Sequence, residues 1–234
     1  MNFKSTSLKE FRDLKGLIID VRSPDEYYKG HMPNSINIPI FNNDERAFIG
    51  KKYKNAGREK AIFEGLKIVE KGIDQLIINL VSEYKKYIYK TKFPEIHSQI
   101  KVYCARGGMR SISVSWLLEK IGYKSFRLEG GYKAYRNFVQ NSFQQDINIT
   151  LIGGKTGTGK TKILNNLIKN NYQAIDLEYL ANHRGSSFGA LGMTRQPTNE
   201  QFENLLAEKL KSFKISEPLF IEAESANIGS CRIP

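Results

Sequence analysis

The sequence predicts an α/β protein made of two parallel-sheet units in tandem. Three observations carry that prediction. Short apolar runs alternate with stretches of helical spacing, the pattern of parallel strands joined by crossover helices. One such run ends in a cysteine and a glycine–arginine loop, VYCARGGMRS (102–111). A second strand–loop–helix pattern, LIGGKTGTGKT (151–161), carries glycines spaced for phosphate.

The elements follow in order. LIIDV (17–21) is rich in Ile and Val and reads as a buried strand. In SPDEYYKGH (23–31), Ser23-Pro24 with acids behind marks a helix start. SINIPI (35–40) reads as a strand, and residues 42–95 are mostly helical in spacing. IKVYC (100–104) is a strand and SISVSWLLEKIG (111–122) a helix ended by Gly122. SFRLEGGYKAYRNFV (125–139) reads as strand, glycine turn and helix. The polar stretch QNSFQQDIN (140–148) is expected to link the two units. Beyond it, INITLIGG (147–154) runs as a strand into the phosphate loop, and TKILNNLIKN (161–170) is helical. NYQAIDLE (171–178) and PLFIEAES (218–225) are further strand candidates, with the helix QFENLLAEKLKSF (201–213) between them. There is no internal repeat and no low-complexity segment.

The 234 residues, 40% hydrophobic, suffice for one large or two smaller cores. The net charge is +12, and residues 1–146 hold +10 of it. Such an excess suits a polyanionic partner, through attraction and counterion release; a solvated, lysine-rich surface is the plainer reading. KKYKNAGREK (51–60) and KKYIYKTK (85–92) concentrate the charge and interleave Tyr53, Tyr87 and Tyr89. Cations there can meet phosphates while aromatics stack on unpaired bases; a solvated helix face is the alternative. Two cysteines, Cys104 and Cys231, make no disulfide framework. The N-terminus has no apolar run of signal length, and no stretch approaches a membrane span. The expectation is a reducing, cytoplasmic setting without a membrane partner.

Thiols react as thiolates, which nearby cations and helix N-termini favour. Cys104 sits just before a helix start, with Arg106 and Arg110 close by. Gly107 and Gly108 allow several N–H groups to turn inward as a nest for an anion. Ser111 completes C-x5-R-[ST], the loop of protein tyrosine phosphatases, so the loop alone leaves phosphatase and sulfurtransferase chemistry both open. A buried structural cysteine is the plainer alternative. Asp20, Arg22, Glu26 and His31 are expected in turn and salt-bridge roles, and His31 has no partner at metal-ligand spacing.

Gly154–Thr161 matches G-x-x-x-x-G-K-[ST] in full, after a strand and before a helix. Gly154, Gly157 and Gly159 let N–H groups wrap phosphate oxygens, Lys160 supplies a point charge, and Thr161 can hold Mg²⁺. Asp176, Glu178 and Glu222, with Glu224 beside it, are the acids expected near that loop. The residues leave open whether a nucleotide, another diphosphate or an RNA phosphate binds there.

DVRSPDEYYKGHMPNSINIP (20–39) and LEGGYKAYR (128–136) resemble rhodanese domains. With GGKTGTGKT (153–161), DERAFIGKKYKNAGREKAIFEGL (44–66), IDLEYLANHRGSSFGALG (175–192) and QPTNEQFENLL (196–206), the whole chain resembles bacterial tRNA 2-selenouridine synthases. The resemblance implies a rhodanese-like parallel-sheet domain (1–143) followed by a partial P-loop (Walker A) α/β domain (147–234). It implies an enzyme that replaces sulfur by selenium in wobble 2-thiouridine of tRNA, using selenophosphate, through an S-geranyl intermediate from geranyl diphosphate. Cys104 is then the chalcogen-carrying nucleophile, Arg106 and Arg110 seat selenophosphate, and the P-loop holds a diphosphate. It implies no tightly bound cofactor and no protein-held metal, and it suggests a selenophosphate-producing enzyme as partner. The pattern stops at IGSCRIP, with Cys231 given no role, and the family continues past that point. An incomplete P-loop domain with an exposed apolar sheet edge is therefore expected. The rival readings are a stand-alone sulfurtransferase, a P-loop kinase or NTPase, and an inactive fragment that only binds tRNA.

Overall fold

The computed structural model describes residues 5–92, 99–155, 157–184 and 189–234. The chain divides into two units, Met1–Tyr135 and Arg136–Pro234.

The strands of the first unit are β1 (Ser5–Thr6), β2 (Gly16–Asp20), β3 (Ser35–Asn37), β4 (Gln99–Tyr103) and β5 (Ser125–Leu128). They lie in the order β1-β5-β4-β2-β3, and every pairing is parallel. The helices are α1 (Leu8–Asp13), α2 (Pro24–Lys29), α3 (Asn43–Thr91) and α4 (Met109–Lys120), and the division at Tyr135 falls within α5 (Gly131–Ser142). The last runs into the polar stretch expected as a linker. Leu17, Ile19, Val21, Ile100, Val102, Val114 and Leu118 form the core with Leu80 and Tyr84 of α3. The apolar runs of β2 and β4 thus read as continuous because both faces of the sheet are covered.

Local chemistry fixes the helix starts. Ser7 caps α1, with its backbone N–H donating to Glu10 Oε2 (3.2 Å) and its Oγ accepting from the Glu10 N–H (3.3 Å). Pro24 opens α2, and the Ser23 N–H donates to Glu26 Oε2 at 3.1 Å. Asn42 and Glu45 cap α3 reciprocally at 2.9 Å. Gly57 (φ 84°) interrupts α3 within the basic run 51–60. Lys101 is buried in β4, where its ammonium donates to the carbonyls of Phe11 (3.2 Å) and Leu14 (2.7 Å) at the end of α1. Burial, helped by the charge of Arg12, brings its pKa down to about 8.

The second unit contains β6 (Ile149–Ile152), α6 (Lys160–Lys169), β7 (Ala174–Ile175), α7 (Leu177–Ala181), α8 (Asn199–Lys211), β8 (Leu219–Glu222), β9 (Asn227–Ile228) and β10 (Cys231–Arg232). Three parallel strands lie in the order β6-β8-β7, while β9 and β10 pair antiparallel. The strand expected over 171–178 shortens to two residues, because Asp176 leaves it to cap α7, accepting the Tyr179 N–H at 2.7 Å. Among the described residues β6 has β8 on one side only, and Ile149 and Leu151 are 48% and 62% exposed. Gln196 ties the β9–β10 hairpin down, donating to the carbonyls of Ala181 (2.9 Å) and Ile228 (3.0 Å) and accepting from the Ser230 N–H (2.9 Å). Among the described residues no helix is long and apolar enough to cross a membrane.

Candidate functional site

Cys104 follows the last residue of β4, and four residues later Gly108 caps α4. Its side chain is buried. Sγ lies 3.2 Å from Ser111 Oγ, which also donates to the Gly108 carbonyl at 3.1 Å. A hydroxyl placed so can turn its proton toward a thiolate.

The loop is held from outside by β5 and α5. The Cys104 carbonyl accepts the Tyr132 N–H (2.8 Å), and the Ala105 carbonyl accepts the Lys133 N–H (3.0 Å). The Gly107 carbonyl accepts a bond from the Arg127 guanidinium. In a trans peptide the next N–H points opposite to the carbonyl, so the amides of Ala105, Arg106 and Gly108 face away from these donors. The first-turn amides of α4 have no acceptor within the helix. Among the described residues, no backbone acceptor claims the N–H groups of residues 105–111. Two glycines permit this approach. A Cβ on Gly131 (φ +58°) would lie 2.2 Å from the Cys104 carbonyl oxygen, and one on Gly107 (φ +67°) 2.8 Å from that of Leu128.

Arg106 is exposed at the loop. Arg110 is placed differently from the sequence expectation of two arginines at the anion. Its guanidinium makes two bonds to Glu26, at 2.6 and 3.2 Å. Burial pushes the Glu26 carboxyl up, but Arg110, the Ser23 N–H and Arg46 more than offset it and hold its pKa at about 2. Asp20, Arg22 and His31 take structural places. Arg22 is bonded to Asp20 (2.6 Å) and to the Gly30 carbonyl (2.6 Å), and lies 3.8 Å over the Tyr132 ring. His31 stacks on Tyr27, with ring centroids 3.8 Å apart, and burial lowers its pKa.

The glycine loop lies between β6 and α6. Gly154, Gly157 and Gly159 all have positive φ, at 141°, 86° and 91°. Lys160 opens α6, with its ammonium 3.0 Å from the Gly154 carbonyl and 3.4 Å from Glu224 Oε1. Thr161 is exposed in the first turn, and Thr156 lies outside the described residues.

The acids divide by role. Asp176 caps α7. Glu222 is buried; one oxygen accepts the Glu178 N–H at 2.9 Å, and burial raises its pKa. Its other oxygen has no partner among the described residues. Glu178 is also raised, by burial and then by Glu224 and Asp176. Glu224 is therefore the carboxylate that meets the phosphate-loop lysine. Its sequence signal was its place two residues beyond Glu222, at the end of β8. Among the described residues no group of three acids, histidines or cysteines could hold a metal.

Of the tyrosines expected to meet RNA, Tyr53 and Tyr89 are exposed, whereas Tyr87 is partly buried against the core. The 175–192 motif places His183 in a buried position; its residues 185–188 lie outside the described residues. Cys231 is buried, with Sγ 3.6 Å from the Pro197 carbonyl, and burial pushes its thiol up.

Comparison with known proteins divides the chain similarly. Residues 5–138 match the family model described as a rhodanese-like domain. Residues 147–234 match the model described as the tRNA 2-selenouridine synthase AAA domain. The tRNA 2-selenouridine synthase of Nitrosomonas europaea is 37% identical over 93% of this chain and 55% of its own length. That of Sulfurovum sp. is 40% identical over 93% of this chain and 57% of its own. The chain therefore spans little more than half the length of these curated relatives. Among solved structures, it resembles the N-terminal domain of a Clostridium difficile 630 protein described as ATP/GTP binding. That match has a TM-score of 0.50 and 37% identity, covering 58% of this chain and 98% of the other.

Proposed function

This chain belongs to the tRNA 2-selenouridine synthase family, and on that premise we propose that it replaces sulfur by selenium in wobble 2-thiouridine of tRNA. Selenophosphate is the selenium source. Geranyl diphosphate supplies an S-geranyl intermediate: the thione sulfur attacks the allylic carbon, the carbon–oxygen bond breaks, and diphosphate leaves. The carbon–sulfur bond at the base then breaks, with sulfur leaving as the geranyl thiolate. Selenium takes its place, and its bond to phosphorus is cleaved by water to release phosphate.

The observation that carries this reading is Cys104. It is a buried thiol 3.2 Å from a serine hydroxyl, in a loop whose N–H groups have no backbone acceptor among the described residues. We assign Cys104 as the nucleophile of the selenium half: its thiolate, steadied by Ser111, displaces the geranyl thiolate from the base carbon, and the selenium of selenophosphate then displaces Cys104 as thiolate. The exposed Arg106 meets the phosphate of selenophosphate at the rim of the loop, while Arg110 anchors the loop through Glu26. In the phosphate loop, Gly154, Gly157 and Gly159 with Lys160 hold the diphosphate of geranyl diphosphate. Mg²⁺ would there need only Thr161, water and the diphosphate's own oxygens, and would neutralise the leaving diphosphate. Asp176, Glu178 and Glu222 shape that end of the sheet. The domains are 1–143 for the thiol chemistry and 147–234 for the diphosphate. The setting is cytoplasmic, where tRNA and an enzyme making selenophosphate are at hand.

The test incubates the protein with tRNA bearing 2-thiouridine, geranyl diphosphate and selenophosphate, then weighs the digested nucleosides. Selenouridine from wild type, absent with Cys104→Ala, supports the reading. Absence of both geranylated and selenated nucleosides from wild type overturns it for this chain.

A further inference from the structure

A C-x5-R loop brings its arginine into the first turn of the following helix, where a guanidinium can fold back onto an oxyanion bound over the thiol. Here that arginine is already held. Arg110 makes a fork of two bonds, 2.6 and 3.2 Å, to Glu26, and the two side chains are only 16% and 26% exposed. The same carboxylate takes the Ser23 N–H at 3.1 Å and lies 3.5 Å from Arg46 Nε. Glu26 is itself fixed in the first turn of α2, behind Pro24. Neither partner is therefore a free surface chain that can swing at little cost.

We propose that Glu26 limits what the Cys104 loop accepts, by withholding Arg110 from a tetrahedral oxyanion bound over the thiol. The charge balance supports this. A helix N-terminus supplies about half a positive charge. With the loop amides, that suffices for a single negative charge such as the Cys104 thiolate. A tetrahedral dianion needs the bidentate guanidinium as well, and here the guanidinium is neutralised by a carboxylate. Arg106, exposed at the rim, can meet a phosphate that stays outside the loop. The loop has the spacing of a phosphatase, and Glu26 keeps it from working as one. The proposal rests on reading Cys104 as the nucleophile, but its test reads oxyanion binding alone, so the two can fail separately.

The experiment measures tungstate binding to the full chain, by calorimetry and by protection of Cys104 from iodoacetamide. Wild type is expected to bind in the millimolar range. Glu26→Gln, which keeps the size of the side chain and removes its charge, should tighten binding about tenfold, a single charge-assisted hydrogen bond's worth. Adding Arg110→Ala to Glu26→Gln should abolish that gain. Arg110→Ala alone should leave the affinity of wild type unchanged, and this arm decides the matter if Glu26→Gln does not fold. A tenfold loss with Arg110→Ala alone, or no gain from a folded Glu26→Gln, overturns the proposal.

Discussion

The backbone N–H of Tyr132 donates to the carbonyl of Cys104 at 2.8 Å, so the first turn of α5 holds the peptide of the candidate nucleophile itself. That approach requires the chain to pass Gly131 without a side chain. We expect Gly131→Ala to destabilise the protein by about 2–4 kcal/mol, the range of a strained φ combined with a backbone clash. The Cβ would meet the Cys104 oxygen at 2.2 Å and the Gly107 nitrogen at 2.5 Å. Guanidinium titration followed by circular dichroism measures the loss. In the fraction that still folds, the alkylation rate of Cys104 should change, because its loop can no longer seat.

Stability should also depend on pH through Glu26. Its folded pKa of about 2 lies below the unfolded value of about 4.3. Between those values the unfolded chain binds the extra proton, so acid favours unfolding. The contribution is complete above about pH 4.3 and is lost as pH falls toward 2. Its size is on the order of 2 kcal/mol, allowing for a carboxylate that is partly in solvent. Denaturant titrations at pH 6, 4 and 3 should show wild type and Glu26→Gln converging as the pH drops. Parallel curves would mean that the Arg110 pair contributes nothing.

Much of this was readable in the residues. LIIDV and IKVYC announce their strands because both faces of a parallel sheet are buried and leave no polar alternation. The two glycine loops announce themselves by spacing. What escaped is set by tertiary packing or by shortness. Arg110 and Glu26 are 84 residues apart, and nothing local couples them. β1 and β10 are two residues each, shorter than any pattern can register. Tyr87 and Tyr89 look alike in KKYIYKTK, yet Tyr84, Tyr87 and Ile88 follow the 3-and-4 step of one helix face, which the core covers. Tyr89 falls on the other side and is 88% exposed.

The basic run in α3 gives a third expectation. Lys51, Lys54, Arg58 and Lys60 are all exposed around the Gly57 interruption, and Tyr53 is exposed beside them. If this arm meets tRNA phosphates, replacing three of these cations by glutamate should weaken binding at every salt concentration. It should also reduce the log–log salt slope by about one for each phosphate that the protein no longer neutralises. Filter binding across a salt series reads both quantities. An unchanged slope would return the run to an ordinary solvated helix face.

The phosphate loop supplies the last expectation, because its lysine already has an anion. Lys160 lies 3.4 Å from Glu224, with side chains only 15% and 10% exposed. An incoming diphosphate must compete with that carboxylate for the ammonium. Glu224→Gln removes the competitor while keeping its shape. Inorganic diphosphate should then bind more tightly, by roughly five- to tenfold, the value of about 1 kcal/mol for a partly screened pair. Lys160→Ala should weaken binding by at least about tenfold, since a charge-assisted bond to phosphate is removed outright. The two variants thus move affinity in opposite directions, which general damage to the loop would not do. Calorimetry with inorganic diphosphate distinguishes the cases. Weaker binding with Glu224→Gln would mean that Glu224 orients the lysine toward its ligand rather than occupying it.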